Sequence, residues 1–265
     1  HPLAAAASVV ASTLALVADG ATHVGIASDH TIESFRNDLY PGYKSGAGME
    51  EAILLQIPVM EEALAAVGFT VWPMTTHEAD DALGAAAAVA EADRRVEQVL
   101  IITPDKDLGQ CVRGDRVVQF DRRKREIIDE AGVIAKFGVG PSSIPDYLGL
   151  VGDSSDGFPG LPGWGAKSAA AVLARYDHLE NIPAAAGQWD VTGLRGAAKL
   201  SVTLQAQLSD AYLFRRIATI DTKLDVGAVN EWRWSAPTAR FTDMAERLGA
   251  PELADQARTL AAAIS

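Results

Sequence analysis

The sequence predicts an α/β fold, a mostly parallel sheet flanked by helices, followed by a helical region. Short apolar runs alternate with helical spacing up to about residue 130, and each run delivers an acidic residue at its carboxyl end. Beyond residue 130 the strand signal fades while helical spacing continues. The expected division is an α/β core over 1–130 and a helical region over 131–265, with no repeat or low-complexity linker between them.

Leu3, Ala7, Val10, Leu14 and Val17 recur at helical spacing, which predicts a buried opening helix. No Lys or Arg precedes that stretch, and the first basic residue is Arg36, so it does not read as a secretion signal. Thr22 to Ala27 is the first apolar run and leads to Asp29. Phe69 to Pro73 leads to Glu78, and Val99 to Thr103 leads to Asp105. Acids at the carboxyl ends of strands lie where open α/β sheets place their ligands. Arg116 to Phe120 and Glu126 to Ile128 read as a hairpin whose turn is Arg122-Arg123-Lys124-Arg125, a run that either touches nucleic acid or is simply solvated.

A chain of 265 residues, 48% hydrophobic and 22% charged, is long enough for a sizeable core. No stretch is long and apolar enough to span a membrane. The single cysteine, Cys111, rules out an intrachain disulfide and follows a strand, which predicts a buried apolar residue and a reducing, cytoplasmic compartment.

Three acidic clusters dominate the chemistry: Glu78-Ala79-Asp80-Asp81, Asp105-Lys106-Asp107 and Asp153-Ser154-Ser155-Asp156. Each has an ordinary reading as a helix cap or a solvated turn. In the first cluster three acids fall within four positions, two of them adjacent, which exceeds what a cap requires. At an effective dielectric near 20, two carboxylates about 4 Å apart repel by about 4 kcal/mol. Gathered in one pocket they would need raised pKa values or divalent cations, and oxygen-only ligands select a hard ion, magnesium or manganese. The net charge of −12 argues against a nucleic-acid partner only in total. With Asp29 and the seven clustered acids assigned to metal, 35 acidic residues fall to 27 against 23 basic.

After the third cluster comes Gly160-x-Pro162-Gly163-x-Gly165-x-Lys167, followed by helical spacing from Ser168 to Tyr176. No strand precedes it, so it reads as a hairpin between two helices rather than a nucleotide-binding fingerprint. Its glycines let backbone N–H groups approach a phosphate, while Trp164 between them reads as a core plug.

In this order the motifs resemble the bacterial 5′ nuclease family: standalone 5′-3′ exonucleases, flap endonucleases and the N-terminal nuclease domain of DNA polymerase I. The match runs through Asp29, then Ser34-Phe35-Arg36 with Tyr40-Pro41-Gly42-Tyr43-Lys44, then Glu78-Ala79-Asp80-Asp81, Asp105-x-Asp107 and Gly152-Asp153-x-x-Asp156-Gly157-x-Pro159-Gly160. The resemblance implies a PIN-like core with a helix-hairpin-helix element at about 140–180. It implies two or more magnesium or manganese ions held directly or through water by Asp29, Glu78, Asp80, Asp81, Asp105, Asp107, Asp153 and Asp156. Arg36 and Lys44 would supply positive charge near the scissile phosphate. Gly160, Gly163, Gly165 and Lys167 would grip the duplex backbone, with a potassium ion. Tyr40 and Tyr43 are expected to pack rather than to stack on bases.

Two departures stand out. Family members open with a strand carrying a further acidic ligand, whereas this sequence starts at His1-Pro2 in the following helix, and Ala47 falls where many relatives carry an arginine. The expectation is a monomeric, structure-selective nuclease, working at the nucleoid, that acts on DNA with a 5′ single-stranded end or flap. The rivals are a DNA-junction binding module with lapsed catalysis and an RNA-cutting PIN-like nuclease.

Overall fold

The computed structural model describes residues 2–264. In chain order these form helix α1 (Ala4–Ala18), strand β1 (Gly25–Asp29), short helices α2 (Phe35–Leu39) and α3 (Glu51–Leu54), helix α4 (Gln56–Val67), strand β2 (Thr70–Met74) and helix α5 (Ala79–Ala92). Strands β3 (Val99–Ile101), β4 (Val117–Asp121) and β5 (Glu126–Ile128) follow. The remaining helices are α6 (Glu130–Phe137), α7 (Ile144–Val151), α8 (Ala166–Tyr176), α9 (Ala197–Ala206), α10 (Leu208–Ala218), α11 (Phe241–Arg247) and α12 (Glu252–Ile264). Among the described residues no helix is long and apolar enough to cross a membrane.

The chain folds as two compact units, and their boundaries differ from the division expected at residue 130. The first unit contains 1–34, 45–89 and 223–265; the second contains 35–44 and 90–222. The reason lies in packing. Helices α11 and α12, expected in the later helical region, bury their apolar faces on α4 and α1, so both ends of the chain belong to one core.

In the first unit β1 and β2 pair in parallel, with Gly25 opposite Thr70 and Asp29 opposite Met74. Gly25 is required by close approach, because a Cβ there would strike the indole of Trp72. Trp72 itself is anchored by donation from its Nε1 to the Val226 carbonyl, 3.1 Å. Val10, Leu14 and Val17 of α1 are buried with Leu64 and Val67 of α4, as the helical spacing predicts. Each fully buried side chain of this size stabilises by about 1.5–3 kcal/mol.

In the second unit β3 pairs in parallel with β4, and β4 pairs antiparallel with β5. The expected strands therefore form as two small sheets, one in each unit. The hairpin expected between 116 and 128 is present as β4 and β5. This unit's core joins Val133 and Phe137 of α6, Leu148 and Leu150 of α7, Val172 and Leu173 of α8 and Phe214 of α10. Cys111 is buried, as expected. Tyr43 is buried, and Tyr40 meets Phe214 edge-on at 5.6 Å, so both tyrosines pack.

Candidate metal centre and nucleic-acid interface

The first unit places four of the expected acids where β1 ends and α5 begins. Asp29 is the last residue of β1, and its Oδ1 accepts the Ala79 N–H at 2.7 Å, capping α5. Asp81 is fully buried and its Oδ2 accepts the Glu78 N–H at 3.0 Å. Glu78, also buried, accepts a hydrogen bond from the Ser34 hydroxyl at 3.3 Å. Asp80 is half-buried in the same helical turn. Asp29 and Asp81 are thus anchored by backbone N–H groups at the start of α5.

Flanking Asp29, the Ser28 hydroxyl donates to Glu61 Oε1 at 2.5 Å, and His30 Nδ1 lies 2.7 Å from Glu61 Oε2. Glu61 stands on the buried face of α4 and is only 8% exposed. The sequence reading missed this group. The available signal was an acid at a core-facing position of an otherwise apolar helix face, two turns before Gly68.

The second unit brings the other four acids to one place. Asp105 caps the short 3₁₀ turn Lys106–Cys111 by accepting the Asp107 N–H at 2.9 Å. Asp153 accepts the Ser155 N–H at 2.8 Å on one oxygen, while its other oxygen takes the Lys106 ammonium at 2.7 Å. Asp156 pairs with the Lys44 ammonium at 3.0 Å, and the Lys44 N–H donates to the Asp156 carbonyl at 2.9 Å. An open cleft of about 460 Å³ beside them is lined by Lys106, Asp153, Ser154 and Ser155.

Asp107 is the outlier. Its side chain is buried and its Oδ1 has no hydrogen-bond partner among the described residues. Burial pushes its carboxyl up to about 8, helped by the charges of Asp105, Asp153 and Asp156 and opposed by Lys106. Asp153 goes the other way: burial pulls it upward, but the hydrogen bond and charge of Lys106, with two backbone N–H groups, hold it below the usual carboxylate range. Burial pulls the Lys106 ammonium downward, and Asp153, Asp107 and Asp105 together outweigh that and raise it. A buried carboxyl oxygen without a hydrogen-bond partner among the described residues, beside three more carboxylates, is the donor set a hard cation fits. Lys106 stands in for that charge. Among the described residues no three His, Cys, Asp or Glu side chains already stand as a ligand set for one ion.

Arg36, expected beside the scissile phosphate, is 2% exposed and is used differently. Its Nε donates to the Ile217 carbonyl at 2.7 Å and its Nη2 to the Thr219 carbonyl at 3.0 Å, closing the C-terminal end of α10. Lys44 keeps its place among the acids.

The glycine motif joins α7 to α8 as a hairpin between helices. Gly160 has φ 67°, and a Cβ there would collide with the backbone of Leu150, Val151 and Gly152. A Cβ at Gly163 or Gly165 would meet nothing within 4 Å, so the tip of the hairpin is bare backbone. Ser168 bonds both the N–H and the carbonyl of Gly165 at 3.0 Å, fixing the start of α8, and Lys167 beside it is exposed. Trp164 is the plug expected: it is buried, donates from Nε1 to the Leu200 carbonyl at 3.3 Å, and lies 6.1 Å from the Trp189 ring.

Residues 1–138 match the model of the 5′-3′ exonuclease N-terminal resolvase-like domain, and residues 139–240 match that of the 5′-3′ exonuclease C-terminal SAM fold. The chain belongs to the 5′-3′ exonuclease family. Relatives within this 5′-3′ exonuclease family include a 5′-3′ exonuclease of Buchnera aphidicola, 30% identical over 75% of this chain and 68% of that protein. DNA polymerase I of Lactococcus lactis is 31% identical over 78% of this chain, and that of Pseudomonas aeruginosa is 35% identical over 73%. The chain spans only 24% and 21% of those two polymerases. The fold is that of bacteriophage T5 5′-exonuclease solved with divalent zinc, at a TM-score of 0.66 and 18% identity over 98% of this chain and 89% of that one. The catalytic core of Rad2 in complex with DNA substrate gives 0.54 at 17% identity over 88% and 75%.

Proposed function

We propose that this chain is a structure-selective 5′ nuclease that hydrolyses DNA phosphodiester bonds with two or more divalent cations, magnesium or manganese. The observation that carries the reading is the buried, unpartnered Oδ1 of Asp107 beside Asp105, Asp153 and Asp156. Such an arrangement is costly unless a cation takes it up. Bound divalent ions would supply a nucleophile at neutral pH and stabilise charge on the attacking and leaving oxygens of the phosphate.

The chain's own residues do the rest. Asp105, Asp107, Asp153 and Asp156, and likewise Asp29, Glu78, Asp80 and Asp81, hold the cations directly or through water. The Lys44 main chain, tied to the Asp156 carbonyl, fixes its ammonium beside that acid, where it meets a phosphate. Arg36 acts as a positioning residue at the end of α10. The bare backbone at Gly163 and Gly165, with Gly160 shaping the turn and Lys167 beside it, grips the duplex backbone and takes a potassium ion. These contacts address phosphates, so the protein, acting as a monomer, selects shape and a free 5′ end or flap rather than sequence.

The rival is a DNA-junction binding module, favoured by the lysines already seated on Asp153 and Asp156. One assay separates the readings: a labelled 5′-flap duplex and its RNA counterpart, each with magnesium or with chelator. Release of short 5′-phosphorylated DNA fragments only with magnesium is the expected result. Binding without product would install the rival, and preferential cutting of the RNA would make it an RNA nuclease.

A further inference from the structure

We infer that the β4–β5 turn, Arg122 to Arg125, is a second contact for duplex phosphates, separate from the hairpin between α7 and α8. The inference rests on the reading that the substrate is DNA. Eight of the eighteen Lys and Arg side chains of the second unit are already engaged by hydrogen bonds or ion pairs. Lys44, Lys106, Arg175 and Arg215 sit on carboxylates, and Arg113 and Arg116 donate to backbone carbonyls. The four side chains of the turn have no hydrogen-bond or ion-pair partner among the described residues. Four consecutive cations left unpaired stand out in a chain whose net charge is −12.

The turn is also built to hold them. Asp121 Oδ1 accepts the N–H groups of Arg123 and Lys124 at 2.9 and 3.1 Å, so this acid is engaged by the turn's backbone. Arg125 adopts a left-handed φ of 54°, a conformation that glycine or asparagine takes far more easily. A solvated turn gains nothing from an arginine there; a phosphate contact does. Behind the turn, β5 leads directly into α6, whose closing Gly138 abuts Ala170 of α8. The turn therefore shares a support with the helix that begins at the hairpin.

The chemistry is that of a polyanion backbone: each phosphate neutralised releases counterions, and the salt dependence of binding counts them, at about 0.9 in the slope of log K against log salt per contact on B-form DNA. The test uses a dumbbell DNA duplex with no free 5′ end and an RNA duplex of equal length, both in magnesium, across a potassium chloride series. The quadruple variant Arg122→Gln, Arg123→Gln, Lys124→Gln and Arg125→Gln is expected to lower the slope on DNA by about 2 or more and to weaken binding at least about tenfold at 0.1 M salt. Arg125→Gly separates contact from structure: its melting temperature should be equal or higher, because the strained backbone is relieved, while its DNA affinity falls.

An unchanged slope on the dumbbell, with normal wild-type binding and flap cleavage, overturns this inference and leaves the proposed function standing. An unchanged slope with aggregation of the quadruple variant also overturns it, and would show that the cations only guard the edge strand β5. A loss confined to the RNA duplex overturns it as a DNA contact. Failure of the wild type to bind or cut DNA defeats the functional reading and this inference with it.

Discussion

The two sets of acids are held by opposite means. In the first unit Asp29 and Asp81 accept backbone N–H groups at the start of α5, and Glu78 accepts a hydroxyl. In the second unit the charge of Asp153 and Asp156 is carried by lysines, and Asp107 is left buried with an oxygen that has no hydrogen-bond partner among the described residues. A carboxylate on a helix start needs no ion to stay folded and ionised. One crowded by three others does. On the proposed reading the first set would keep its place without a cation, whereas the second would depend on one.

The sharpest way to break that contrast is Asp107→Asn. The amide keeps the shape and removes the charge, so turnover on a flap substrate should fall on the order of a thousandfold while DNA affinity changes by less than about threefold. In chelator the variant should melt no lower than wild type, because burial and the neighbouring charges already disfavour the ionised form of this carboxyl. The rise in melting temperature that magnesium gives the wild type should shrink. Near-normal cleavage would remove Asp107 from the centre, and an undiminished magnesium shift would remove it from the ligand set.

Lys106→Gln and Asp29→Ala then compare the two kinds of support directly. Removing the Lys106 ammonium leaves Asp153 without its counter-charge, and since the lysine is 42% exposed the expected loss in chelator is about 1–2 kcal/mol. Magnesium should restore it. Asp29→Ala removes the cap on the Ala79 N–H, for a loss of about 1 kcal/mol that magnesium leaves in place. Thermal melts with and without the ion read both. If magnesium rescues neither variant, or both equally, the two sets are not held differently.

Much of this was legible in the residues. The strand runs, the Arg122–Arg125 hairpin, the buried Cys111 and the plug at Trp164 follow from period, turn chemistry and size, all local properties. The acids were legible as clusters because they recur within four positions. What fixes each one was not, because a partner such as Lys44 for Asp156 lies more than a hundred residues away and no spacing rule connects them. Arg36 shows the same limit: its motif suits a phosphate contact, and only the fold brings the carbonyls of Ile217 and Thr219 to its guanidinium. The compact units of the fold cut across the expected division for a related reason. Helical spacing over 241–264 identifies α11 and α12 but carries no record of which core they cover.

The smallest expected effect comes from an ion pair outside both sets, and it calibrates how strongly the Lys106–Asp153 pair should be read. Glu180 is held near a carboxyl pKa of about 2, chiefly by the hydrogen bond from Arg215, whose guanidinium also reaches the buried Asp146. A carboxyl depressed in the folded state stabilises above its unfolded value near 4.5, and that contribution disappears as pH falls toward about 2. Glu180 is half-exposed, so solvent screening limits the contribution to below about 1 kcal/mol. Glu180→Gln should therefore lower the melting temperature slightly at pH 7 and hardly at all near pH 2.5, and magnesium should not alter that difference. If the loss at pH 7 matched that of Lys106→Gln, a screened surface pair would be worth as much as the pair beside Asp107. The special standing of the second acid set would then have to come from its unpaired oxygen alone.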